Sequence, residues 1–114
     1  MPVPGVVLHL TEASADKHRA VLRNALNLLP ELAPGTPVEV VVHGDAIVLA
    51  VPGQDATDTL AQALGAGIVL VACRNSMRSR GLTEDELVEG TIAVPSGVGH
   101  LVARQARGWA YLRP

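Results

Sequence analysis

The residue best suited to chemistry in this sequence is Cys73, the only cysteine among 114 residues. A thiolate is a nucleophile, and positive charge or a helix start beside a thiol lowers the pKa toward the physiological range. Arg74 and Arg78 follow closely, and either Asn75 or Ser76 is suited to begin a short helix there. We therefore predict a reactive thiolate at Cys73, supported by Arg74, Asn75 and Arg78. A buried, inert thiol at the end of a strand is the alternative.

Histidine is the second residue type of interest, because its imidazole gains or loses a proton near neutral pH. His9 and His43 each end an apolar run, and His100 follows Gly97 in the first turn of a predicted helix. We include these three histidines and Gly97 among the candidate supporting residues. The alternative is that a histidine at a strand end only packs and hydrogen-bonds. His18 is expected on the surface of a helix, outside the site.

Two other interpretations of these residues are weaker. A zinc site made of the three candidate histidines and Cys73 is conceivable, but no closely spaced ligand pair of the usual kind is present. Gly97-Val98-Gly99 resembles part of a dinucleotide fingerprint, but Val102 stands where the third glycine would be. We therefore expect no metal and no organic cofactor. The N–H groups at that helix start are suited to an anion.

Composition limits the number of domains and the class of partner. Hydrophobic residues make up 48% of the chain and aromatic residues 2%, so the core must be aliphatic. The formal net charge of -2 lacks the basic excess that duplex nucleic acid or an anionic membrane requires. One cysteine forms no intramolecular disulfide, and the first residues lack a signal-peptide pattern. We expect a single domain over residues 1–114, located in the cytoplasm, with neither nucleic acid nor membrane as a partner.

Apolar runs alternate with helix signals along the chain, which indicates an α/β protein. Strands are predicted at 6–9, 38–43, 68–72, 91–94 and 109–112, and helices at 14–30, 55–67, 75–81, 83–90 and 96–108. The central runs are too continuous for half-exposed strands and favour a parallel sheet covered on both faces. After Gly44 the residues allow either a hairpin turn or a short helix, and local chemistry does not decide.

This layout places the candidate residues at one edge of the sheet. The carboxyl ends of parallel strands lie along the same edge, where α/β proteins bind their ligands. His9, His43 and Cys73 are each predicted at or next to a strand end, and the fourth strand leads into the helix that carries His100. We expect these side chains to lie near one another.

Several motifs of the chain resemble the DsrE/DsrF-like family of small proteins. They are residues 72–82 around Cys73, the Asp-Glu-Leu of 85–87, the Val-Pro-Ser-Gly-Val of 94–98 and the segment 104–114 with its Gly-Trp-Ala-Tyr. The resemblance implies a three-layer α/β/α sandwich with a five-stranded, mainly parallel sheet, and a short helix after Gly44. It also implies homotrimers or hexamers, and a cysteine, matched here by Cys73, that carries sulfane sulfur as a persulfide.

Two functions from different classes fit these observations. In the first, the chain is a sulfur-relay protein, and so a possible sulfurtransferase, in which Cys73 takes sulfur from a donor protein and passes it to an acceptor. In the second, it is a non-catalytic oligomeric module that binds a small anionic ligand or a partner protein. Hydrolytic or transferase chemistry with a histidine base is weaker, because the sequence shows no triad pattern.

Overall fold

The structure is a computed structural model that describes residues 2–114. Five strands form one sheet in the order β4-β3-β2-β1-β5, and every strand pair in this described part is parallel. The strands are Val6–Leu10 (β1), Val38–Val42 (β2), Val69–Cys73 (β3), Ile92–Val94 (β4) and Ala110–Leu112 (β5). The predicted α/β fold with a five-stranded parallel sheet is therefore confirmed.

Helices connect the strands as crossovers. They are Ala15–Leu28 (α1), Thr57–Gly65 (α2), Arg74–Ser79 (α3) and Gly97–Ala106 (α4), with 3-10 segments at Leu29–Glu31, Gly44–Ala50 and Glu84–Glu86. Ser14 and Ser96 begin α1 and α4 by accepting a backbone N–H with their side chains. The segment after Gly44 is thus helical, which excludes the hairpin alternative.

One predicted helix is much shorter in the structure. Residues 83–90 form a capping box at Thr83 and Glu86, but only the single 3-10 turn Glu84–Glu86 follows it. Val88 is drawn out of a helical path because its N–H donates to the carbonyl of Ala50, at 2.7 Å. Leu87 beside it packs into the core. A long-range contact therefore overrides the local helix signal.

The two faces of the sheet are covered unequally. Residues of alternate strand positions, such as Val6, Leu8 and Leu10, pack into the larger core with α1, α2 and the Gly44–Ala50 segment. The opposite face is covered by α4, whose Leu101 packs on Val7, Val41 and Val71. The sandwich thus has a thick layer on one side and a single helix on the other.

The face under α4 also holds polar side chains. His9 and Glu39 alternate with the valines of this face and are 8% and 6% exposed. On the outer side of α4, Val98 and Val102 are 53% and 67% exposed. The thinner layer therefore combines buried polar groups beneath the helix with an exposed apolar surface above it. No helix in residues 2–114 is long and apolar enough to cross a membrane.

Candidate functional site around Cys73

Cys73 lies at the junction of two elements and is 4% exposed. It is the last residue of β3, and α3 begins at the next residue. The first amides of a helix have no partner within the helix, so their N–H groups are available to a neighbouring acceptor. The backbone N–H groups of Asn75 and Ser76, at the start of α3, lower the pKa of the thiol. The N–H of Gly97, the first residue of α4, does the same. Two helix starts therefore converge on one sulfur atom.

These donors control the ionisation of the thiol. Burial raises the pKa of Cys73, but the hydrogen bonds from Gly97, Ser76 and Asn75 outweigh burial and hold the pKa below its usual value. The charged form gains from such bonds because a thiolate accepts hydrogen bonds more strongly than a thiol does. The site therefore favours the nucleophilic form of the sulfur.

The two arginines predicted to support the thiolate make other contacts. The Nε atom of Arg74 donates to Glu84 at 2.7 Å, in a half-exposed ion pair. Arg78 donates to the side-chain oxygen of Asn75. Asn75 thus contributes to the site through its backbone, while its side chain holds a guanidinium on the outer surface of α3. Hydrogen bonds, rather than these guanidinium charges, lower the pKa of Cys73.

Ser76 belongs to the site, although the sequence analysis did not place it there. Its Oγ accepts the N–H of Gly44 at 2.7 Å, and its hydroxyl and backbone N–H both lower the pKa of Cys73. Accepting from Gly44 leaves the hydroxyl proton of Ser76 free to donate, in line with the lowering effect of this side chain on the pKa of Cys73. Its position three residues after a strand-end cysteine, within the first helical turn, is the signal that could have identified it.

Gly97 brings α4 close to the thiol. A Cβ atom at this position would lie 3.1 Å from the Cβ atoms of both Cys73 and His43, and 3.7 Å from the sulfur. Ordinary carbon contacts are longer, so a side chain here would be crowded from two sides. Gly97 therefore allows the backbone of α4 to reach Cys73 and also brings His43 beside the same point.

His43 continues into a hydrogen-bonded chain with two other residues. The Nδ1 atom of His43 lies 2.9 Å from Nε2 of His9, and Nδ1 of His9 lies 2.7 Å from the hydroxyl oxygen of Tyr111. The two imidazole rings are stacked with centroids 4.8 Å apart. Tyr111, which the sequence analysis did not predict for the site, reaches His9 because β5 pairs with β1. We call these three residues the His-His-Tyr chain.

Burial and nearby groups lower the pKa of one member of this chain. Burial has the largest effect on the pKa of His9, His43 and Arg113 lower it further, and Glu12 opposes them. Both histidines were predicted to end their strands, and the structure differs by one residue at each: β1 continues to Leu10, and β2 ends at Val42, just before His43. The two imidazoles are nevertheless in hydrogen-bonding contact.

His100 lies in a separate cluster. Its Nε2 atom is 2.7 Å from Oε1 of Glu39, and Arg104 donates to both carboxylate oxygens of Glu39 at 3.2 and 2.8 Å. The guanidinium of Arg104 also stacks on Trp109, 4.2 Å from the ring centroid. This cluster fastens α4 to β2. His100 does not hydrogen-bond to the thiol or to the His-His-Tyr chain.

Two further observations concern the remaining polar residues. His18 is 2% exposed and its Nε2 contacts the carbonyl oxygen of Glu12, so the prediction of a surface position was wrong. The carbonyl gives this histidine the partner that a buried polar group requires. Within residues 2–114, no three His, Cys, Asp or Glu side chains are grouped as metal ligands would be.

Fold and site together define a small, all-parallel α/β protein with one thiol at a strand end, held between two helix starts. The family model described as "DsrE/DsrF-like family" matches residues 6–114. The chain therefore belongs to the DsrE/DsrF-like family, as the motifs around Cys73 and in the last strand predicted.

Solved structures agree with this assignment. The chain is similar to MTH1491, a protein of unknown function from Methanobacterium thermoautotrophicum, with 34% identity, a TM-score of 0.88, and 96% of this chain and 97% of that chain covered. It also shares its fold with the ychN protein of E. coli, with 16% identity, a TM-score of 0.75, and coverage of 96% and 98%. No curated protein matches the chain.

Proposed function

We propose that this protein is a sulfur carrier that holds sulfane sulfur as a persulfide on Cys73. The observation that supports the proposal is the position of one buried sulfur between the first residues of α3 and α4, where Gly97, Ser76 and Asn75 lower the pKa of Cys73. A thiolate must form before the sulfur can attack, and these donors stabilise it without a metal or an organic cofactor.

Two balanced steps describe the relay. In uptake, the Cys73 thiolate attacks the outer sulfur of a donor persulfide, R–S–SH. A sulfur–sulfur bond forms on Cys73, the donor's sulfur–sulfur bond breaks, and the donor leaves as R–S⁻. In delivery, an acceptor thiolate attacks the outer sulfur and Cys73 leaves as a thiolate. Neither step consumes an oxidant or a reductant, so a single cysteine is sufficient.

The test is direct detection of the carried sulfur. The protein is incubated with a low-molecular-weight alkyl persulfide, freed of reagent, and weighed intact by mass spectrometry. We expect added mass of one sulfur atom, which a thiol reductant removes and which Cys73→Ser does not acquire. Wild-type protein that gains no sulfur under these conditions would exclude the carrier function.

We also propose that the protein assembles with copies of itself, as a homotrimer or hexamer, and works in the cytoplasm. Val98 and Val102 lie one turn apart on the outer side of α4 and are more than half exposed, which is the kind of apolar surface that subunit contacts cover. Sedimentation of the wild-type protein should show an oligomer, and Val102→Asp should dissociate it. A wild-type monomer at micromolar concentration would contradict the proposal.

Sulfur donor and acceptor proteins are the other expected partners.

A second candidate function is a binding module that uses no thiol chemistry. It is favoured by a cavity of about 160 Å³ beside α3, lined by Arg74, Met77, Arg78, Leu82, Thr83 and Glu84. Most of its charged lining is already paired, as the Arg74–Glu84 contact shows. Thiol titration distinguishes the two functions: a Cys73 that alkylates rapidly near neutral pH supports the carrier, and an inert Cys73 supports the binding module.

A further inference from the structure

We propose that the His-His-Tyr chain of His43, His9 and Tyr111 is a proton relay that protonates the sulfur leaving the donor during uptake by Cys73. The inference rests on the carrier function proposed above and adds a reaction partner for the thiolate. His43 would contact the leaving sulfur and act as the acid. His9 and Tyr111 would act through His43 as positioning residues.

The position of His43 provides the first argument. Its Cβ atom and that of Cys73 lie at the same 3.1 Å distance from the point where Gly97 would carry a side chain. Val42 of β2 pairs with Ala72 of β3, so His43 and Cys73, one residue further on, are also neighbours at this edge of the sheet. His43 is only partly buried, whereas Cys73 is 4% exposed.

The hydrogen-bond pattern provides the second argument. His9 uses both ring nitrogens, one with Tyr111 and one with His43, whereas His43 uses Nδ1. If the Tyr111 hydroxyl donates to Nδ1 of His9, then Nε2–H of His9 donates to Nδ1 of His43. With Nδ1 as the acceptor, the proton of the His43 ring lies on Nε2, at the end of the chain. The opposite polarity of the same bonds is equally well formed, and exchange between two such polarities is what a relay requires.

The surroundings of His9 favour its neutral form. Burial, His43 and Arg113, which lies beyond β5, lower the pKa of His9, and Glu12 beyond β1 opposes them. A neutral imidazole can accept a proton at one nitrogen while it donates from the other, which a protonated ring cannot do. Tyr111 is 37% exposed, so the far end of the chain meets water and can regain its proton there.

The proposed step balances as follows. The Cys73 thiolate bonds to the outer sulfur of R–S–SH, the sulfur–sulfur bond of the donor breaks, and R–S⁻ takes the proton from Nε2 of His43. Nδ1 of His43 takes the proton of His9, and His9 takes that of Tyr111. The tyrosinate is then protonated by water. Protonation speeds the departure of a basic leaving group such as an alkanethiolate, whereas a weakly basic one leaves readily without it.

The experiment compares two sulfur donors on the same variants. The first donor is an alkyl persulfide, which releases an alkanethiolate, and the second is an arenethiosulfonate, which releases a weakly basic sulfinate. The variants are His43→Gln, His9→Gln and Tyr111→Phe, with His18→Gln as the control. His18 is a buried histidine outside the chain, and Gln can still donate to the Glu12 carbonyl that His18 contacts.

With the alkyl persulfide we expect uptake by His43→Gln to be slower by about a hundredfold, the lower range of general acid catalysis. His9→Gln and Tyr111→Phe should show smaller losses, and His18→Gln none. With the arenethiosulfonate all variants should react like the wild type. Alkylation of Cys73 by iodoacetamide should also be unchanged, because iodide leaves without a proton.

The possible failures are distinguishable. Wild-type protein that takes sulfur from neither donor would overturn the carrier function itself. Wild-type uptake with an equal rate in His43→Gln, for the alkyl persulfide, would overturn the relay alone. Equal losses with both donors and in alkylation would mean that His43 only shapes the site, which also overturns the relay.

Discussion

Replacement of Gly97 by Ala tests the construction of the thiol site most directly. The added Cβ would lie 3.1 Å from Cβ of Cys73 and 3.1 Å from Cβ of His43. Carbon atoms in comfortable contact are about 3.5 to 4.0 Å apart, so the new methyl group would crowd both neighbours at once. Relief requires α4 to move outward from β3, which lengthens the hydrogen bond from the Gly97 N–H to the sulfur.

The expected magnitude follows from two opposing contributions. Crowding of this kind costs about 1 to 3 kcal/mol, and Ala in place of Gly within a helix returns about 0.5 to 1 kcal/mol. We expect a net loss of about 1 kcal/mol in the free energy of unfolding, or a melting temperature lower by roughly 4 °C for a chain of this size. The weakened hydrogen bond should raise the pKa of Cys73 and slow its alkylation near neutral pH by about tenfold.

The assay is the rate of iodoacetamide alkylation against pH, together with thermal unfolding. Gly65→Ala is the control, since it makes the same change in α2, at a position where the added Cβ would meet no atom within 4 Å. The control should melt no lower than the wild type and alkylate at the same rate. If Gly97→Ala matched the wild type in both measurements, the close approach of α4 would not be what activates the thiol.

Three further predictions address other parts of the molecule. Ser76→Ala removes a hydroxyl that lowers the pKa of Cys73, so alkylation of Cys73 should slow several-fold near neutral pH. Ser79→Ala in the same helix should have no effect. Equal alkylation rates in the two variants would exclude a role of the Ser76 hydroxyl in activating the thiol. Folding lowers the pKa of Cys73, so the free energy of unfolding of the wild type, relative to that of Cys73→Ala, should increase as pH rises from the folded-state pKa to the ordinary thiol pKa. This increase should be lost as pH falls through the folded-state pKa. Urea titrations across this range measure the difference, and a difference that does not change with pH would contradict the prediction. Arg104→Met leaves the buried carboxylate of Glu39 with His100 as its only partner and should lower the free energy of unfolding by about 3 kcal/mol. Adding Glu39→Gln should recover part of this loss in the same urea titrations. An unchanged stability of Arg104→Met would show that the ion pair does not hold α4 on the sheet.

The order of strands and helices could be predicted from sequence because the signals are local. The valine-rich run that forms β2 is recognisable from five consecutive residues, and Ser96 beginning α4 is recognisable from its position before a helical pattern. Cys73 at the end of β3 follows from the same kind of evidence. Where a local signal competes with a distant contact it fails, as at Val88, whose N–H binds Ala50.

The partners within the site could not be predicted because they depend on strand order. Tyr111 meets His9 across 102 positions of sequence only because β5 pairs with β1 rather than with β4. Glu39 stands among valines, and its partner Arg104 lies 65 positions away on α4. Likewise, His100 shares the first turn of α4 with Gly97, yet its side chain turns to Glu39, away from the thiol.

The location of β5 has a consequence for the order in which the site is completed. β1 is the first strand to be synthesised and β5 is the last of the five, yet the two are neighbours in the sheet. While the chain emerges, the outer edge of β1 has no strand to pair with, and His9 has no tyrosine. The donors from Asn75 and Ser76 belong to the segment that carries Cys73, whereas the partner of His9 belongs to the last strand. A chain without β5 would therefore keep these two donors beside its sulfur and lack the tyrosine of the His-His-Tyr chain.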